Sequence, residues 1–181
     1  MFDVSAIATV VATISVVVGV IFTVLELRHM TRTRQTDLIL RLYENVTNRE
    51  ATELLFRVAS SKFTSFEEYS KKYGLTDAAE AIGLFERVGI LLEQNLIDIR
   101  LVDRLFGGMV ATMWEKLEPV VQGMRKALGQ PYLSMHFEYL YHRMRVYRAS
   151  DQWKKDYSHW KEYGTKYGLP RPGLYPDGIA S

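Results

Sequence analysis

Apolar residues follow two patterns along this chain, one continuous and one periodic. The first pattern covers Val4 to Leu25, 22 residues without a charged side chain. A helix of that length measures roughly 33 Å, which matches a hydrocarbon core of about 30 Å. A cleaved signal peptide is disfavoured because the residues before the apolar run include the acidic Asp3 and no Lys or Arg, and because the apolar run is long. We therefore predict that residues 1–27 form a transmembrane anchor.

The predicted span has a bulky face and a small face. Small residues at spacings of three and four let helix backbones approach closely in lipid. We therefore interpret the small face as a packing seam, against a second copy or another membrane protein. Its members are Ser5, Ala8, Ala12, Ser15 and Gly19.

Basic residues follow the span and set its predicted orientation. Arg28, Arg32 and Arg34 come directly after it, whereas only Asp3 precedes it. The positive-inside rule then places the N-terminus outside the cell membrane and the remaining chain in the cytoplasm.

From residue 28 the apolar residues recur at helical spacing, and no stretch shows a sustained two-residue alternation typical of strands. The sequence predicts an all-α fold, with a cytoplasmic bundle of five to seven helices over residues 28–163. A Gly/Pro-rich tail follows over residues 164–181.

Several local signals predict where the helices begin and end. Ser65 with Glu68, and likewise Thr47 with Glu50, has the spacing of a capping box. Asp77 and Asp98 are predicted to start two further helices. We expect the second of these to be short and to end near Gly107-Gly108, and the next helix to kink or break at Pro119. Gly129 marks a later boundary.

No residue pattern favours catalysis or a cofactor. The chain has no cysteine, which excludes thiolate sites, and Gly107-Gly108 lacks the flanking pattern of a phosphate loop. His136, Glu138 and His142 form the best metal-like cluster, but His136 lies off the helix face that the other two share. We expect no metal, no cofactor and no enzyme activity.

The C-terminal region is basic and aromatic. Residues 141–171 contain eight Lys or Arg against three Asp or Glu, although the whole chain carries a net charge of only +2. Trp153, Tyr157 and Trp160 could pack on the bundle, or they could form an interface with a headgroup layer or a protein. The low net charge disfavours nucleic acid as a partner.

A set of motifs in the middle of the chain resembles a known family. They are Phe85-Glu86-Arg87-Val88-Gly89-Ile90-Leu91-Leu92, Leu96-Ile97-Asp98, Met113-Trp114-Glu115-Lys116-Leu117-Glu118-Pro119, Arg125 and Phe137-Glu138-Tyr139-Leu140. The chain is similar in these to the bacterial and archaeal domain of unknown function 4760, whose members have one N-terminal span followed by a helical region. The resemblance implies no activity. It implies a shared packing core of Glu86, Trp114, Pro119, Arg125, Phe137 and Glu138, in which we expect Arg125 to bridge Glu86 or Glu138.

These observations favour a non-enzymatic helical module anchored in the bilayer, either self-associating or an accessory subunit of a membrane complex. The alternative is a cytoplasmic sensor or effector that binds a small anionic ligand through Arg87, Arg100, Arg104 or Arg125.

Overall fold

The computed structural model describes the backbone of residues 4–167. The side chains of 4–12, 28, 29, 31–35, 159–161 and 163–165 lie outside the described residues. The described chain is all-α and contains no strand. Its seven helices are α1 (Val4–Thr47), α2 (Arg49–Ser60), α3 (Phe66–Tyr73), α4 (Thr76–Glu93), α5 (Ile99–Leu128), α6 (Met135–Ala149) and α7 (Asp151–Tyr167).

The chain divides into two compact units, and the first comprises residues 1–41. Every side chain from Thr13 to Leu27 is exposed. Among the described residues, no helix combines the length and the apolar character that crossing a membrane requires. Of the predicted seam, Ser15 and Gly19 are exposed, whereas the side chains of Ser5, Ala8 and Ala12 lie outside the described residues.

The second unit begins at Leu42 and has its core between α4, α5 and α6. Phe137 of α6 stacks on Phe85 of α4, with ring centroids 4.9 Å apart, and meets Trp114 of α5 edge-on at 5.1 Å. All three side chains are buried. Because aromatic side chains bury the largest apolar areas, these three rings join α4, α5 and α6 in one core.

Helix starts follow the sequence signals in some places and depart from them in others. Ser65 caps α3 by accepting a hydrogen bond from the Glu68 amide, and Asp98 caps α5 by accepting one from the Arg100 amide. Both predictions are confirmed. The cap of α2 is Asn48, one residue after the predicted Thr47, because α1 continues through Thr47.

The predicted start at Asp77 is wrong in one respect, because this residue does not cap α4. The cap position is Leu75, which makes no side-chain capping bond, and Asp77 lies inside the first turn. Its carboxylate there accepts a hydrogen bond from Arg57 of α2 at 2.8 Å. The carboxylate therefore joins two helices instead of beginning one.

The predicted helix end at Gly107-Gly108 is wrong, since α5 runs unbroken from Ile99 to Leu128. A Cβ on Gly107 would lie 2.1 Å from a guanidinium nitrogen of Arg148, so this glycine provides space for a neighbouring side chain. Pro119 lies inside the helix and does not break it. The proline is exposed, so water can bond the Glu115 carbonyl that loses its helical donor. The predicted boundary at Gly129 is confirmed, because Gly129 ends α5 in the left-handed conformation.

The last described helix extends slightly past the predicted boundary at residue 163. α7 ends at Tyr167, so the first four residues assigned to the tail are helical. Residues 168–181 of that predicted tail lie outside the described residues.

Candidate functional site

One buried carboxylate joins three helices and forms the most unusual polar cluster of the described chain. Asp103 of α5 has a side chain only 2% exposed. Its Oδ1 accepts a charged hydrogen bond from Nε of Arg148 on α6. Its Oδ2 accepts hydrogen bonds from Tyr157 Oη at 2.9 Å and from Trp153 Nε1 at 3.3 Å, both on α7. Since a buried charge is tolerated only when it is paired and hydrogen-bonded, these donors are what allow Asp103 to lie here.

The aromatic donors from α7 form the wall of this cluster. Trp153 and Tyr157 are half-buried and stacked, with ring centroids 4.8 Å apart. Burial, followed by the Asp103 charge and its hydrogen bond, raises the pKa of Tyr157 to about 12. Tyr147 donates to Asp156 at 2.7 Å, and burial followed by that hydrogen bond raises the pKa of Tyr147 as well. Both phenols therefore stay protonated and act as donors at neutral pH.

A cavity of about 290 Å³ adjoins the cluster. Its floor is the α5 segment from Asp103 to Met109, and Arg148, Trp153 and Tyr157 line the other sides. The close approach at this floor depends on Gly107, because a Cβ there would also lie 2.9 Å from Asp103 Oδ1. The lining therefore includes the Asp103 carboxylate with its Arg148 partner, together with a second basic residue, Arg104.

A second polar cluster fixes the start of α6 on α4. Glu86 Oε2 accepts a hydrogen bond from the Phe137 amide at 2.8 Å, and Oε1 lies 3.3 Å from the His136 amide. Oε1 also lies 2.7 Å from His136 Nδ1, while the other ring nitrogen lies 3.3 Å from Glu93 Oε2. Glu86 thus supplies the N-terminal cap of a helix that lies 50 residues further along the chain.

Arg125 holds the other side of the same helix start. Its Nη2 donates to Glu138 Oε2 at 2.7 Å, and its Nε donates to the Leu133 carbonyl at 2.9 Å. The expected bridge therefore forms with Glu138, one of the two suggested partners. Glu86 instead caps α6 by accepting a hydrogen bond from the Phe137 amide.

The members of the implied packing core occupy different environments. Trp114 and Phe137 are buried and in contact, whereas Pro119 is exposed on α5. Glu86, Arg125 and Glu138 are partly buried at the junctions of α6 with α4 and α5.

The metal-like residues do not converge. His136 faces Glu86 and Glu93, Glu138 pairs with Arg125, and the exposed His142 lies against the Tyr141 ring. In the part of the chain that the structure describes, no group of three acidic or histidine side chains is placed to hold a metal ion.

Of the predicted interface residues, the structure brings Trp153 and Tyr157 onto Asp103, while the Trp160 side chain lies outside the described residues. Sequence reasoning missed Asp103 and Arg148 as a pair. One signal was present: Asp103 lies on the same helical stripe as Phe106, Val110 and Trp114, where an acid is out of place unless it is paired.

Comparison with known proteins gives one family. The family model described as Domain of unknown function (DUF4760) matches residues 13–144. The matched segment includes Asp103 and the Glu86 and Arg125 clusters, and it ends before Arg148 and α7. Neither the curated proteins nor the solved structures gave a match.

Proposed function

The chain belongs to the DUF4760 family of domains of unknown function, and we propose that it is a non-enzymatic helical interaction module attached to the cell membrane by the first part of α1. In this proposal the N-terminus lies outside, the helical domain lies in the cytoplasm, and the module self-associates or serves a membrane complex as an accessory subunit.

The observation that carries the proposal is the exposure of apolar side chains on α1. Ten large apolar residues between Ile14 and Leu27 are at least 44% exposed. Contiguous apolar surface of this kind marks contact with lipid or protein. The segment from Val4 to Leu25 favours lipid over protein as the contact, because it carries no charge and is long enough to cross a hydrocarbon core.

No described helix meets the requirements of a membrane span, so attachment needs a direct test. We propose to express the full chain and to wash the membrane fraction with alkaline carbonate. The wild-type chain is expected to stay with the membrane. Ile14→Arg/Val18→Arg places two charges near the middle of the uncharged segment, at a cost of about 2.5–3.5 kcal/mol each, and is expected to release it.

The matched control is Phe56→Arg/Leu128→Arg, which changes two exposed apolar residues of the second unit. This variant should stay with the membrane as the wild type does. Release of the wild type by carbonate, or retention of Ile14→Arg/Val18→Arg, would refute membrane attachment.

The role of the predicted seam in self-association has its own test. A Cβ on Gly19 would meet nothing within 4 Å, so a larger residue fits the isolated helix. We expect Ser15→Leu/Gly19→Leu to reduce crosslinked oligomers, because bulk on the small face separates the helices. Ile14→Leu/Ile21→Leu, on the bulky face, should leave crosslinking unchanged. Equal crosslinking in both variants would remove the seam from the proposal.

The anionic-ligand alternative has less support, because two of its four arginines have carboxylate partners. Arg100 pairs with Asp98 at 2.7 Å, and Arg125 pairs with Glu138 at 2.7 Å. A rise in melting temperature with inorganic phosphate or a nucleotide would favour this alternative.

A further inference from the structure

The helix α7 is attached to the rest of the second unit differently from α2 to α6. Each of α2 to α6 buries at least one side chain, whereas none of the described side chains of α7 is buried. Polar side chains join α7 to the other helices: Trp153 and Tyr157 donate to Asp103, and Asp156 accepts from Tyr147. Water can replace such partners, so they resist opening less than apolar burial does.

Opening α7 would leave the centre of the cluster intact. Asp103 keeps its ion pair with Arg148 of α6, because that pair does not involve α7. Only Oδ2 exchanges its two α7 donors for water. A buried charge that lost all its partners would oppose opening strongly, but a charge that stays paired does not.

A single residue connects α7 to α6. α6 ends at Ala149 and α7 begins at Asp151, with Ser150 between them in an extended conformation (φ −82°, ψ 155°). Residues at the ends of helices can act as hinges, because they absorb the change in φ and ψ when a helix moves. Ser150 occupies such a position between α6 and α7.

We propose that α7 is a releasable strap, which detaches as a unit about Ser150 while α4, α5 and α6 stay folded. Its release uncovers the Asp103–Arg148 pair and opens the cavity of about 290 Å³, of which Trp153 and Tyr157 form one side.

Amide hydrogen exchange on the full chain tests the strap directly. In the wild type, α7 should exchange faster than α4, because it opens without global unfolding. Tyr157→Phe removes one hydrogen bond to a carboxylate and keeps the ring. Such a bond corresponds to about a tenfold change in the opening equilibrium, so exchange in α7 should rise about tenfold and should stay faster than exchange in α4.

Trp153→Phe removes the other α7 donor and should act in the same direction. Tyr132→Phe, at a tyrosine 77% exposed, is the matched control and should change neither helix. The proposal fails if α7 and α4 exchange at one common rate in the wild type, or if Tyr157→Phe leaves α7 unchanged.

Thiol labelling tests whether the strap gates the cavity. Because the chain contains no cysteine, Met109→Cys introduces a single thiol at the cavity floor. Its labelling rate should rise about tenfold when Tyr157→Phe is added, in parallel with exchange in α7. An unchanged labelling rate would overturn the opening of the cavity.

Discussion

Gly89 of α4 lies close against the backbone of α6, and Gly89→Ala should destabilise the second unit. A Cβ at this position would lie 2.0 Å from the carbonyl oxygen of His136 and 2.5 Å from its carbonyl carbon. Both are backbone atoms, so no rotamer change relieves the overlap. The two helices must separate by about 1.4 Å to restore ordinary van der Waals contact.

The separation has three effects on the free energy of unfolding. Overpacking costs about 1–3 kcal/mol. The capping bond from the Phe137 amide to Glu86, 2.8 Å long, lengthens or breaks, at a cost of about 1 kcal/mol. Alanine then recovers about 1 kcal/mol, because it is a better helix former than glycine. The net loss is about 2 kcal/mol, which corresponds to a fall in melting temperature of about 4–8 °C for a domain of this size.

The same helix contains a matched control. A Cβ on Gly83 would meet nothing within 4 Å, so Gly83→Ala should gain about 0.5–1 kcal/mol from helix propensity alone. Urea unfolding of the full chain, followed by far-ultraviolet circular dichroism in one fixed buffer, measures both variants. The reasoning is refuted if Gly89→Ala is as stable as the wild type or as Gly83→Ala.

Three further predictions concern the polar clusters. Glu86→Gln should lower the free energy of unfolding by about 1–2 kcal/mol, since the start of α6 loses a charged cap; Glu80→Gln, exposed on the same helix, should change it little in the same urea assay. Arg125→Met should lower the free energy of unfolding by about 2 kcal/mol, because it leaves the Leu133 carbonyl and the Glu138 carboxylate without their donor. Lys126→Met, at an exposed position, should change it little. Equal effects of the two variants would contradict the role of Arg125 at the start of α6. The pKa of Tyr157 is raised from about 10 to about 12, so the stability it contributes is complete below pH 10 and is lost as pH rises to 12. Between pH 10 and 12 the free energy of unfolding should therefore fall less in Tyr157→Phe than in the wild type. An equal fall in the two proteins would show that Tyr157 does not couple stability to pH.

Local hydrogen-bonding signals were the most readable part of the sequence. Ser65, Asp98 and Gly129 each mark a helix boundary in the structure, because caps depend on side chains within three residues of the helix end. The all-α class was readable for a related reason, since a spacing of three and four places apolar residues on one helix face.

The helix end predicted at Gly107-Gly108 is wrong because the sequence does not show what lies beside these two glycines. A glycine that ends a helix and a glycine that makes room for Arg148 look the same in the sequence. The proline is compatible with α5 because it lies on an exposed face, and this exposure depends on how the helices pack.

The Asp103 cluster lay beyond sequence reasoning for a different reason. Its donors come 45 to 54 residues after the acceptor, and no spacing rule operates over such distances. The suggested Arg125–Glu138 bridge was easier to find, because the two residues flank a single turn between consecutive helices.

The cap that α4 supplies to α6 has a consequence for the order of folding. The residue at the cap position, Ser134, makes no side-chain capping bond and has a left-handed backbone (φ 59°). The first turn of α6 is therefore stabilised by Glu86, and this stabilisation is present only after α6 has packed against α4. A peptide containing α6 alone should fray at its N-terminal end, and the nucleus that commits this chain to its native topology should include both helices.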